Sequence, residues 1–170
     1  MATGFLLQPE QIPLKIETRR RWGIPNEYRM EQDPKQLRYG REMWEGSKPN
    51  LIFRSISAIY NCVGMVVTHR RAWAFPIDLR KILSDDGFRQ LKGPEEAFVG
   101  DIVIYQAGGD EITHVGIVQQ KNLIRDLRNP GDPLKVLSKW GAQGEYIHDM
   151  TDVPEVYGKP AEFWTDRRGG

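Results

Sequence analysis

Ile59-Tyr60-Asn61-Cys62-Val63-Gly64-Met65-Val66-Val67 decides how the rest of the chain is read, because it joins a helix start to the only cysteine. Asn61 is a favoured N-cap, and the apolar residues from Val63 recur with helical spacing. The pattern predicts a helix from Asn61 to about Ala72, with Trp73-Ala74-Phe75-Pro76 ending it. Cys62 then falls in the first turn, its sulfur near free backbone N–H groups. Those groups stabilise a thiolate by about 0.3–1 kcal/mol, less than one pKa unit. A helix end therefore does not make Cys62 a strong nucleophile at neutral pH, and a cationic partner, usually a histidine, is required. Without one, a lone cysteine in an apolar run reads as a small buried hydrophobe.

Three histidines are available. His69 follows Cys62 by seven residues, about 10 Å along a helix axis, too far to reach the sulfur. His114 lies in Ile112-Thr113-His114-Val115-Gly116-Ile117-Val118, a strand pattern in which His114 and Gly116 share one face. A glycine beside a histidine leaves room for another element to approach, and the Cys62 helix is the expected one. His148 follows a later strand-like run. A satisfied core histidine remains the competing reading for His114.

The flanking sequence is consistent with an α+β order, helices first and antiparallel strands afterwards. A short helix is expected from Asp78 to Leu83, stopped by Asp85-Asp86-Gly87. Gly100 to Tyr105 reads as a buried strand and Ala107-Gly108-Gly109-Asp110 as a turn. Ile112 to Gln119 is the returning strand. Asn122 to Leu127 is a further strand or edge, Asn129-Pro130-Gly131-Asp132-Pro133 a turn, and Leu134 to Trp140 a strand. The sheet continues through Tyr146-Ile147-His148, and the tail around Phe163-Trp164 closes or edges it. Residues 1–50 are punctuated by five prolines and read as an N-terminal arm with one helix, capped by Asp33 and running from Pro34 through Trp44. Residues 51–170 form the main domain.

The chain has 170 residues and a formal net charge of +1, enough for one core and no attraction to polyanions or membrane surfaces. Arg19-Arg20-Arg21-Trp22 reads as a solvated edge, so no nucleic-acid partner is expected. One cysteine excludes an internal disulfide, and no metal-ligand spacing or cofactor motif occurs. The first residues lack the basic and apolar regions of a signal peptide, and no apolar run has transmembrane length. A cytoplasmic protein is expected, or one exported by a dedicated secretion machine that needs no such signal. Oligomeric state leaves no mark in the sequence.

Y-N-C-V-G-M-V, then V-G-D-I-V-I-Y, then T-H-V-G-I-V resembles the papain-like cysteine amidases of the NlpC and CHAP type. The three blocks cover about residues 60–120, each weak alone and moderately specific in this order. Residues 60–164 are also similar to a divergent bacterial group sharing Y-N-C, a T-H strand, S-K-x-G, a later histidine and Y-G. Here these are Ser138-Lys139-Trp140-Gly141, His148 and Tyr157-Gly158. The resemblance implies a papain-like fold with the cysteine-bearing helix packed on an antiparallel sheet. It also implies Cys62 as nucleophile, His114 as general base and a third polar residue orienting the imidazole. His148 and Ser138 compete for that third place. His148 is preferred, since an imidazole nitrogen accepts the His114 N–H better than a hydroxyl does. The backbone N–H of Cys62 is the expected oxyanion donor. Family members often carry Asp-Cys-Ser/Gly-Gly-Phe where this chain has Asn61-Cys62-Val63-Gly64-Met65, and no segment resembles a wall-binding module. The expected activity is a cysteine amidase, peptidase or deamidase acting on a peptide or protein amide. The alternatives are an inactive papain-like interaction module, whose partner surface would be Trp22, Tyr28, Tyr39 and Trp44, and an effector or toxin using the same chemistry in another cell.

Overall fold

The computed structural model describes residues 13–48, 50–122 and 134–168. Helix α1 (Pro34–Ser47) follows strand β1 (Asn26–Glu27), and β2 (Ile52–Ile56) leads to α2 (Cys62–Val67). After β3 (Trp73–Ala74) come α3 (Leu79–Asp85) and β4 (Arg89–Gln90). Strands β5 (Ile102–Gln106), β6 (His114–Lys121), β7 (Leu134–Trp140), β8 (Gly144–Asp149) and β9 (Lys159–Thr165) complete the chain. Seven of these strands form one antiparallel sheet in the order β2-β8-β7-β6-β5-β9-β4, while β1 pairs only with β3. The protein is α+β, as its sequence pattern predicts. β9, expected to close or edge the sheet, lies second from one edge, between β5 and β4.

Alternation along the strands divides the core into two layers. Ile102, Ile104 and Val115 point to one face, where they pack with Val63, Leu79 and Leu83 of α2 and α3. Val103, Tyr105, Val118 and Val136 point to the other and pack with Met150, Val153 and Phe163. Each layer removes large aliphatic and aromatic surface from water, at about 25 cal/mol per Å2 of apolar area. Helix α1 reaches the second face at its far end, where Trp44 meets Trp140 edge-on at 5.2 Å.

Helix α2 is shorter than its apolar spacing predicts. Thr68 ends it: its hydroxyl lies 2.8 and 2.9 Å from the carbonyls of Gly64 and Ala72, its one proton shared between them, and its backbone N–H also donates to Gly64. His69 and Arg70 then adopt left-handed backbone, φ 52° and 64°, which turns the chain away from the helix axis. Helix α3 runs two residues past its expected end to Asp85, and Gly87, at φ 87°, reverses the chain as its sequence implies. The arm is anchored on that end: Thr18 donates to the Asp85 carboxylate, and the backbone N–H of Arg19 donates to Asp86 at 2.7 Å. The strand expected from Asn122 to Leu127 and the turn from Asn129 to Pro133 lie largely or wholly outside the described residues. Among the described residues, no helix is long and apolar enough to cross a membrane.

Candidate functional site

Asn61 fixes where Cys62 stands. Its side-chain oxygen accepts the N–H of Gly64 at 2.8 Å, capping α2, and also the N–H of Ala74 at 3.2 Å. Its amide nitrogen donates to the Ala74 carbonyl at 2.7 Å. An aspartate could cap the helix but could not make that last bond, which accounts for the asparagine here. Gly64 lets the helix lie against the returning chain, since a Cβ there would sit 2.0 Å from the Ala72 carbonyl oxygen.

Cys62 is partly buried, a free thiol packed at the edge of the α2-side core. Burial pushes its pKa up. The backbone amides of Val115, Val63 and Cys62 itself, and the charge of Lys139, pull the other way without prevailing. Cys62 packs against the cluster that holds Val115, the residue after His114.

His114 opens β6, opposite Tyr105 in register, and its ring leaves on the face away from α2. It is 1% exposed, stacked on Tyr157 at 4.0 Å between ring centroids and 10° between planes. Among the described residues, neither ring nitrogen has a hydrogen-bond partner. Its pKa lies well below the usual histidine value because burial disfavours the charged ring, and the nearby His148 adds to this. Thiol and imidazole thus belong to opposite faces of the sheet, both uncharged at neutral pH, and no hydrogen bond joins them. Gly116 does not make room for α2 as expected. A Cβ there would meet Val136 at 2.4 Å, so the glycine serves the β6–β7 contact.

His148 does not orient His114 through a hydrogen bond. Its Nδ1 faces the Asp149 carbonyl at 2.8 Å, an oxygen that can only accept, so Nδ1 carries the proton. Nε2 is then an acceptor, and the Ser138 hydroxyl donates to it at 2.6 Å. Trp140 Nε1 donates to Ser138 in turn, at 2.9 Å. The two candidates for the third residue are bonded to each other, and His148 has no free lone pair for the N–H of His114. Burial lowers its pKa to about 4, against the opposing pull of the Asp149 carbonyl and nearby carboxylates.

Two further residues border the site. Lys139 is fully buried on the α2 side, opposite Glu145 in register. Its ammonium donates to the Gly141 carbonyl at 2.8 Å and lies 5.3 Å from the centre of the Tyr60 ring. Burial lowers its pKa to about 8, while the charges of Glu145, Cys62 and Glu31 oppose the shift. Glu145 also accepts from Tyr60 at 2.9 Å and from Arg70 Nε at 2.6 Å. Tyr157 belongs to the turn Glu155–Tyr157 before β9, and its phenol pKa is raised by burial first and by the charge of Cys62 second. The signal for Lys139 lay in its strand: in L-K-V-L-S-K-W it alternates with Leu137 on an inward face. Tyr157 carried no signal beyond the Y-G pair. No protein-family model, curated protein or solved structure matches the chain.

Proposed function

We propose that this chain is a papain-like cysteine hydrolase that opens an amide bond in a peptide or protein. The observation that carries the reading is Cys62 at the start of α2, packed against Val115 of the strand that His114 opens, with an imidazole whose nitrogens have no partner among the described residues. Because burial keeps both groups neutral, His114 acts as a general base during attack rather than as the cation of a standing ion pair. The Cys62 S–H proton passes to His114 through a bridging water at the start of β6 as the S–C bond forms, because the imidazole lies on the face away from α2. The amides of Cys62 and its neighbours receive the developing oxyanion. His114 then protonates the leaving nitrogen, and the C–N bond breaks. A water molecule, losing its proton to His114, hydrolyses the thioester and frees the thiol. An ammonia leaving group makes the same cycle a deamidation.

A peptidyl vinyl sulfone at pH 7 tests the assignment. Labelling is expected on Cys62, absent in Cys62→Ala and about a hundredfold slower in His114→Gln, the usual worth of a general base. Equal labelling of wild type and His114→Gln contradicts the reading. The neutral, buried state of both side chains favours the second reading, an interaction module in which they are packing groups, and complete inertness of Cys62 would support it.

A further inference from the structure

Among the described residues, nothing polar fixes the orientation of the His114 imidazole, yet a base must present one nitrogen to one proton. In this structure the fixing element is an aromatic ring. Tyr157 lies on His114 at 4.0 Å and nearly parallel, and Tyr105 flanks the imidazole from β5 at 5.5 Å. The turn that carries Tyr157 is itself pinned beside His114. Thr113, the residue before the histidine, holds its hydroxyl 2.7 Å from the Tyr157 carbonyl and 3.0 Å from the Tyr105 carbonyl, its one proton shared between them. Gly158 follows with φ 76°, packed so closely on β5 that a Cβ would fall 2.0 Å from the Gln106 carbonyl oxygen. Only glycine accepts both that backbone and that approach. Thr113 and Gly158 together therefore set one ring on one imidazole.

We propose that Tyr157 is the positioning residue for His114, its ring holding the imidazole in one orientation and covering one face of it. This gives the proposed hydrolase a clamp where a third hydrogen-bonding residue was expected, and it rests on that reading only for its catalytic meaning. The titratable groups around the imidazole are Tyr105 on β5, His148 on β8 and Tyr157 itself. Removing the clamp exposes that face and turns the ring loose, while replacing it with another aromatic ring changes neither.

A proton NMR titration of the histidine ring protons in wild type, Tyr157→Phe, Tyr157→Leu and Tyr157→Ala reads this without any substrate. His114 in wild type should show ring-current-shifted signals and an apparent pKa well below the ordinary value of about 6.5. Tyr157→Phe should keep both. Tyr157→Ala should lose the ring-current shift and raise the pKa by about one unit or more. If Tyr157→Ala does not fold, Tyr157→Leu supplies the same comparison with the volume retained. An unchanged His114 pKa and shift in the folded aliphatic variant overturns the proposal, as does a Tyr157→Phe titration that matches Tyr157→Ala. Cys62 takes no part in the readout. A silent thiol thus counts against the hydrolase and leaves the clamp standing, and an active thiol with an unmoved imidazole does the reverse.

Discussion

His148 and His114 are neutral because they are buried, and that has a direct consequence for stability. A group whose pKa is lower in the folded than in the unfolded chain contributes stability above its unfolded pKa and withdraws it as pH falls towards the folded one. For His148 the window runs from about 6.5 in the unfolded chain to about 4 in the folded protein. Its share amounts to about 2 kcal/mol between pH 7 and pH 5, and His114 adds in the same direction. Urea unfolding at these two pH values should show a loss of at least that size. In His148→Asn, which cannot take up the proton, the pH-dependent loss should shrink. A wild-type protein equally stable at both values would mean that one or both imidazoles are charged. The direction of these shifts could not be read from sequence. The pattern of the strand placed His114 on a face with Gly116, but which layer filled that face depended on packing between segments distant in sequence, and the pairing of Ser138 with His148 depended on the β7–β8 register.

The elements show the same division between what is local and what is not. Asn61 as cap, Asp33 with Pro34 at the start of α1, and Gly87 at the end of α3 are short-range chemistry, and each stands where the sequence predicted. The strands β5 to β8 follow short runs rich in apolar and β-branched residues bounded by turn signals, which are also local. Helix α2 ended early for a reason that periodicity cannot carry: Thr68 bonds backward to Gly64 and forward to Ala72, and closes the helix on itself. This makes Gly64 the most sensitive position in the element. Gly64→Ala should lower stability by about 1–3 kcal/mol, the usual cost of overpacking, because the new methyl meets a backbone carbonyl rather than a movable side chain. Thermal unfolding checks it, and a melting temperature equal to wild type would show that α2 is free to shift on the sheet.

Across the whole molecule, a buried polar network joins segments distant in sequence: Tyr60 before α2, Arg70 after it, Lys139 on β7 and Glu145 on β8. Glu145 is 3% exposed and pairs with Arg70 Nε at 2.6 Å, while Lys139 is fully buried, bonds the Gly141 carbonyl and feels the Glu145 charge without an ion pair to it. Glu145→Leu leaves the Tyr60 hydroxyl and Arg70 without their acceptor and should cost about 1–3 kcal/mol. Adding Lys139→Met to that variant should recover part of the loss, since no ammonium is then left needing an opposite charge facing it. A double-mutant cycle in urea decides it, and additive effects would show that the two charges do not interact. The network sits on the α2 side of the sheet and the His148–Ser138–Trp140 chain on the other, so Cys62 and His114 meet the boundary between two separately stabilised layers.

The central claim is that His114 takes the proton from Cys62, and the pH dependence of Cys62 acylation tests it most directly. With p-nitrophenyl acetate as acyl donor and intact mass as the readout, wild type should form the acetyl thioester at Cys62. Its rate should hold from pH 7 down past pH 6, because an imidazole whose pKa is depressed by burial stays neutral and able to accept a proton. His114→Gln has no such base, and the raised pKa of the thiol should confine its acylation to alkaline pH, above the ordinary cysteine value of about 8.5. Profiles of wild type and His114→Gln that superpose at every pH would contradict the account.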